Sequence, residues 1–195
     1  ISYFNKNLIP ASIKRRVVSA QSIHMTIFYV ISHSTRSIDL FYEVIEPYND
    51  IELFNCTTSL SSPLPIKKSQ GYYENDVIRL QDPFNFLISK RLKNLLLTSG
   101  ITGWRTYDVK IDGTPSENYS GFCIEGRCGA ILRPKQKGFL NGIQFEINTW
   151  DRSDFFIPNN SLTIFCTKKV KQSIDDLNLK NMMVQRIEDY EWYNP

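Results

Sequence analysis

Apolar residues along this chain fall mostly in short runs that are rich in β-branched and aromatic side chains. His24 to Ile31, Ser37 to Ile45 and Ile51 to Cys56 are three such runs, separated by polar, turn-prone residues, and they predict three strands in a meander. Leu60 to Ser69 carries two prolines among serines and lysines and reads as a loop. A second polar stretch, Gln70 to Asp76, precedes Val77 to Leu80, where the apolar pattern resumes. Residues 1–76 therefore read as an N-terminal β-rich part and residues 77–195 as a second part, together forming one compact domain.

The second part contains an internal repeat at an offset of 78 residues. Phe86 to Leu96 aligns without a gap on Ile164 to Ile174, and Ile101, Gly103 and Trp104 fall on Leu179, Asn181 and Met182. Each copy predicts a short apolar strand ending at Ser89 or Thr167, whose hydroxyl is suited to cap a helix. In the helix that follows, Leu92, Leu95 and Leu96, or Val170, Ile174 and Leu177, share one face. Lys90, Arg91 and Lys93, with their counterparts Lys168, Lys169 and Lys171, lie elsewhere on the wheel. Gly100 and Asn178 stand where a left-handed residue ends a helix, and extended segments follow over Trp104 to Ile111 and Met182 to Ile187. Between the copies, Tyr119 to Leu132 reads as a hairpin and Gly142 to Ile147, a clean apolar-polar alternation, as a strand. The predicted fold is α+β, a strand-rich mixed sheet with two strand-helix-strand repeat units.

Composition adds exclusions. A chain of 195 residues with 42% hydrophobic and 22% charged residues has enough apolar material for a substantial core. Its net charge of +3 is too small to make the whole molecule a polyanion ligand, so any binding face must be local. No apolar run reaches the roughly 18 to 20 residues of a membrane-spanning helix, and Ile1 to Pro10 lacks the charged-then-apolar layout of a signal peptide. Four cysteines are too few for a disulfide scaffold. Cys123 and Cys128 flank the expected hairpin turn, where a cross-strand bond is possible, although free thiols fit a reducing cytoplasm better.

Candidate chemistry is sparse. His24 and His33 lie nine residues apart without a cysteine or carboxylate at ligand spacing, which favours a surface or hydrogen-bonded role over catalysis. The spacing of Cys123 and Cys128 does not match a zinc knuckle, so no metal or other cofactor is expected. Trp150, Asp151, Arg152, Ser153 and Asp154, followed by Phe155 and Phe156, form the densest polar and aromatic cluster. Its two carboxylates suit either acid-base work or, more simply, a turn in which they accept from backbone N–H groups while the rings pack inward. Basic clusters at 14–16, at Lys67 and Lys68, and at Arg133, Lys135 and Lys137 lack the regular aromatic interleaving of single-strand binders, so nucleic acid is not the expected partner. There is no phosphate-binding glycine loop, nucleophile elbow or HExxH sequence.

Tyr119 to Gly129, Thr149 to Phe156 and Thr167 to Lys171, taken in that order, resemble a bacterial family similar to the immunity proteins of polymorphic toxin systems. The resemblance spans roughly Val77 to Trp192. It implies a cytoplasmic, non-enzymatic protein that binds and neutralises a cognate toxin encoded beside it. Trp150, Asp151, Arg152 and Asp154 are the expected partner-binding residues. The alternatives are a hydrolase or nuclease-like enzyme built on His24 or on Asp151 and Asp154, and a nucleic-acid-binding module using the basic clusters.

Overall fold

A computed structural model describes residues 26–179 and 181–195. The first half contains β1 (Phe28–His33), β2 (Phe41–Val44), α1 (Asp50–Phe54), β3 (Leu64–Gln70), β4 (Val77–Arg79), β5 (Phe86–Ser89), α2 (Lys90–Thr98), β6 (Trp104–Tyr107) and β7 (Val109–Ile111). The second half contains β8 (Thr114–Pro115), β9 (Tyr119–Ile124), β10 (Arg127–Cys128), β11 (Gly138–Asn141), a 3-10 turn (Ile147–Thr149), β12 (Phe155–Pro158), β13 (Ile164–Thr167), α3 (Lys168–Leu177), β14 (Met182–Arg186) and β15 (Glu191–Asn194). An eight-stranded sheet runs β6-β9-β5-β4-β2-β3-β7-β8, a five-stranded sheet runs β10-β12-β13-β1-β14, and β11 pairs with β15 as a separate ribbon. The fold is mixed α+β and strand-rich.

Three cores explain the continuous apolar runs. On the five-stranded sheet Ile31, Phe155, Ile157, Ile164 and Cys166 face a central core that also receives Leu92 and Leu96 of α2 and Val170 and Ile174 of α3. The alternate residues Phe28, Val30, Phe156 and Phe165 face a third core on the opposite side. The eight-stranded sheet does the same, with Phe86 and Ile88 in the central core and Leu87 and Ile78 in a second. Strands covered on both faces need no polar alternation, so Phe86-Leu-Ile, Phe155-Phe-Ile and Ile164-Phe-Cys are apolar throughout.

Both helices lie where the spacing of apolar residues places them. Ser89 Oγ accepts from Leu92 N at 3.1 Å and caps α2, and Gly100 and Asn178 take left-handed φ of 58° and 51°. Each helix links two parallel strands with one antiparallel strand between them. β5 and β6 flank β9, and β13 and β14 flank β1. Phe86 and Thr106 both lie across from Phe122, and Ile164 and Val184, each 78 residues further on, both lie across from Ile31.

Five expectations are corrected. The meander is absent, because β1 belongs to the five-stranded sheet and β2 to the eight-stranded one. Ile51 to Cys56 is largely helical: Asn49 Oδ1 accepts from Glu52 N at 3.1 Å and caps α1, whose first turn carries Asp50 and Glu52. Leu64 to Gln70 is a strand despite Pro65, whose carbonyl accepts from Ile45 N just beyond the end of β2, where no N–H is required of it. Gly142 to Ile147 alternates in burial, yet among its residues only Phe145 forms a bridge, with Ile131, and the ladder strand is β11 just before it. His24 and the basic residues at 14–16 lie outside the described residues.

Tyr119 to Leu132 is not a hairpin either. β9 belongs to the eight-stranded sheet, whereas β10 runs parallel to β12 in the five-stranded one. The crossing is made at Gly126, where a Cβ would stand 2.0 Å from Phe155 O, beside Gly103, where it would stand 2.1 Å from the same oxygen. Cys123 and Cys128 are thereby separated, and Cys123 is bonded to Cys56. Cys128 and Cys166 are free and buried.

Candidate functional site

The segment from Trp150 to Asp154 lies where the two sheets meet. Trp150 is half-buried, with its ring edge-on to Phe28 at 5.0 Å and its Nε1 donating to Ser153 O at 3.0 Å. Asp151 works as a backbone clip. Its Oδ2 accepts from Arg127 N at 2.7 Å, its Oδ1 from Ser153 N at 2.9 Å, and its own N–H donates to Arg127 O at 3.1 Å. Arg152 is exposed with φ of 73°, and its guanidinium lies 5.3 Å from the Trp150 ring centroid.

Asp154 joins the two strand-helix-strand units. Oδ2 accepts from Thr102 N at 3.1 Å, Thr102 Oγ1 at 3.2 Å and Lys169 Nζ at 3.3 Å. Oδ1 accepts from Thr167 Oγ1 at 2.8 Å, so that hydroxyl is turned away from the capping bond expected of it. Lys169 Nζ also donates to Gly100 O at 2.6 Å, tying the end of α2 to the start of α3.

Arg127 extends this junction to α1. Its guanidinium donates to the carbonyls of Ile124 at 2.7 Å, Gly126 at 2.8 Å and Asn55 at 2.6 Å. Burial lowers its pKa, while Asp151 and Glu125 pull the other way. Arg105 donates to Cys56 O at 2.8 Å, so two arginines and the Cys56–Cys123 bond hold the C-terminal end of α1. Arg127 is thus a carbonyl clamp and does not activate a thiol. Burial pushes the Cys128 thiol up to about 12, and Cys166 is raised by its own deeper burial.

His33 is half-buried at the end of β1, 6.1 Å from the Phe86 ring, and lines a cleft of about 290 Å³ with Ile31, Phe84, Met182 and Tyr190. Burial, then the charge of Arg79, lowers its pKa. Among the described residues no group of three or more His, Cys, Asp and Glu side chains is placed to hold a metal ion. No helix among them is long and apolar enough to cross a membrane.

Three of the six helix cations form ion pairs: Arg91 with Asp76, Lys171 with Asp175 and Lys169 with Asp154. Lys67 pairs with Glu43 at 3.3 Å. Arg133, Lys135 and Lys137 are all exposed and, like Lys68, Lys90, Lys110 and Lys168, without a carboxylate partner among the described residues. The first three lie beside Phe139 and Tyr193, two exposed rings that pair across the ribbon. The only sequence signal for those rings is Gly138 to Asn141 and Glu191 to Asn194 read as alternating strands, which their short length conceals. The chain matches no family model and no curated protein.

Proposed function

We propose that this is an immunity-like binding protein that neutralises a cognate bacterial toxin by direct contact. The observation in support is the convergence of the three segments on which that reading rests. Tyr119 to Gly129, Thr149 to Phe156 and Thr167 to Lys171 meet through the Asp151–Arg127 and Asp154–Thr167 bonds. There, each oxygen of Asp151 and Asp154 already accepts from a backbone N–H, a hydroxyl or Lys169. Carboxylates committed in this way position backbone and are poorly placed to take a proton from a substrate. That supports a scaffold for recognition over a hydrolase built on the same pair. Of the expected partner-binding residues, only Arg152 is exposed and without a side-chain hydrogen bond among the described residues, and Trp150 packs on the third core.

A cytoplasmic address accompanies this proposal, and the Cys56–Cys123 bond bears on it directly. Disulfides persist in oxidising compartments and are rare in the cytosol, so the bond fits a periplasmic or secreted setting better. Quenching intact cells in acid and alkylating under denaturing conditions distinguishes the two, with two blocked thiols expected in an oxidising compartment and four in the cytoplasm. The function itself is tested by expressing the adjacent gene with and without this chain. Restored growth is expected when both are made, and unrelieved toxicity at equal expression overturns the proposal.

A further inference from the structure

The ribbon formed by β11 and β15 has two unlike faces. Leu140 and Trp192 turn inward, with Trp192 packed on the third core and its Nε1 donating to Gly142 O at 2.8 Å. Phe139 and Tyr193, opposite each other in register, stand on the outer face, 72% and 61% exposed, with ring centroids 5.4 Å apart. Two aromatic rings of this size held together in water form an apolar anchor of the kind that dominates protein interfaces.

Beside them lies the loop carrying Arg133, Lys135 and Lys137, and it is fastened from beneath. Asn194, 3% exposed, donates to Pro134 O at 3.0 Å and to Gln136 O at 2.6 Å and accepts from Arg133 Nη1 at 3.3 Å. The Arg133 guanidinium also lies 5.7 Å from the Trp192 ring centroid. The loop backbone is thus held at the end of the ribbon, which lowers the ordering cost of binding, with Lys135 and Lys137 exposed on it and Arg133 turned to the inward ring of Trp192. With no carboxylate partner of their own among the described residues, the two lysines call for acidic groups on whatever docks.

We infer that Phe139 and Tyr193, with Lys135 and Lys137 on the adjoining loop, form a surface that grips a protein partner through an apolar pocket edged with Asp and Glu. This rests on the toxin-neutralising proposal and assigns its contact face. A nucleic acid fits less well. The two rings meet edge to face at 63° and do not offer parallel platforms for successive bases.

The test is surface plasmon resonance with the purified product of the adjacent gene and, separately, a DNA duplex. The variants are Phe139→Ala, Tyr193→Ala and the double reversal Lys135→Glu with Lys137→Glu, with Leu97→Ala on exposed α2 as control. Each aromatic truncation is expected to weaken Kd about 30-fold, mostly through faster dissociation. The charge reversal, which touches no core contact, is expected to slow association about tenfold at low salt and to flatten the salt dependence. Leu97→Ala should bind as wild type. If wild type binds and every variant binds equally well, the ribbon is not the contact face, although the toxin-neutralising proposal stands. If wild type does not bind the neighbouring product, both fall together. Binding of the duplex that is lost in the same variants assigns the ribbon to nucleic acid and overturns the inference.

Discussion

Replacing Asp154 by alanine separates a structural carboxylate from a catalytic one. The change strips acceptors from Thr102 N, Thr102 Oγ1 and Thr167 Oγ1, which lie 2.8 to 3.2 Å from the carboxylate. Hydrogen bonds to a charged group contribute about 1.5–3 kcal/mol each, and donors left without a partner add a desolvation cost. The Lys169 contact adds less than about 1 kcal/mol, because that side chain is 49% exposed and screened by water. Bonds made by one carboxylate are not additive, and relaxation lets the two hydroxyls find water, so the expected loss is about 2–4 kcal/mol. In a chain of this length each kcal/mol moves Tm by about 2–4 °C, which puts the fall at about 4–16 °C. Asp154→Asn keeps one acceptor and should lose about half as much. Differential scanning calorimetry and urea titration of wild type and both variants measure this. An alanine variant that melts within about 1 °C of wild type refutes the account of Asp154 as the junction of the two units. A loss of turnover at unchanged stability would assign it to catalysis instead.

Other outcomes follow from the packing and the titrating groups. Reducing the Cys56–Cys123 bond reopens a loop whose ends are 67 residues apart, a loss of up to roughly 4 kcal/mol by loop entropy, read as a lower urea midpoint in dithiothreitol. Cys128 and Cys166, buried and held as thiols, should react with an aromatic disulfide reagent only after unfolding, giving two thiols per chain without reductant and four with it. Gly126→Ala forces a methyl against Phe155 O and should cost more than 3 kcal/mol or abolish folding, as judged by soluble yield and Tm. The folded pKa of His33 lies below its unfolded value of 6.5, so protons bind the unfolded chain more readily. The His33 contribution is therefore full above about pH 6.5, declines as pH falls below it and levels off below the folded pKa. The difference in stability between wild type and His33→Asn should change over that window and be flat above it.

Features set by neighbours in sequence were legible, and those set by distant partners were not. α2 announced itself through Ser89 and the spacing of Leu92 and Leu96, both contained within a few residues. Thr167 occupies the same place before α3, yet its hydroxyl goes to Asp154, 13 residues back, which no local pattern reveals. Ile51 to Cys56 looked extended because Ile51 and Leu53 alternate with polar residues. The competing helix signal, Asn49 followed by Asp50 and Glu52, was present and decided the outcome. Cys56 pairs with Cys123 across 67 residues, whereas proximity in sequence offers only Cys123 with Cys128 and composition favours free thiols, so nothing local reveals the bond. The turn role of Asp151 was readable from residue type, whereas Asp154 bonds only to residues 13 or more positions away. Their partners Arg127 and Thr102, 24 and 52 residues away, required the fold. Phe139 and Tyr193 drew no notice because aromatic residues in short strands are usually core, and only the register shows that they share an outer face.

The most direct test of toxin neutralisation is to titrate the purified protein into a fixed amount of the adjacent gene product and follow that product's own activity. A binding inhibitor removes activity linearly to an endpoint at a small whole-number molar ratio, and the mixture runs as one complex by size-exclusion chromatography with light scattering. Activity that falls progressively with time at substoichiometric protein would reveal an enzyme, and activity that never falls would contradict the proposal outright.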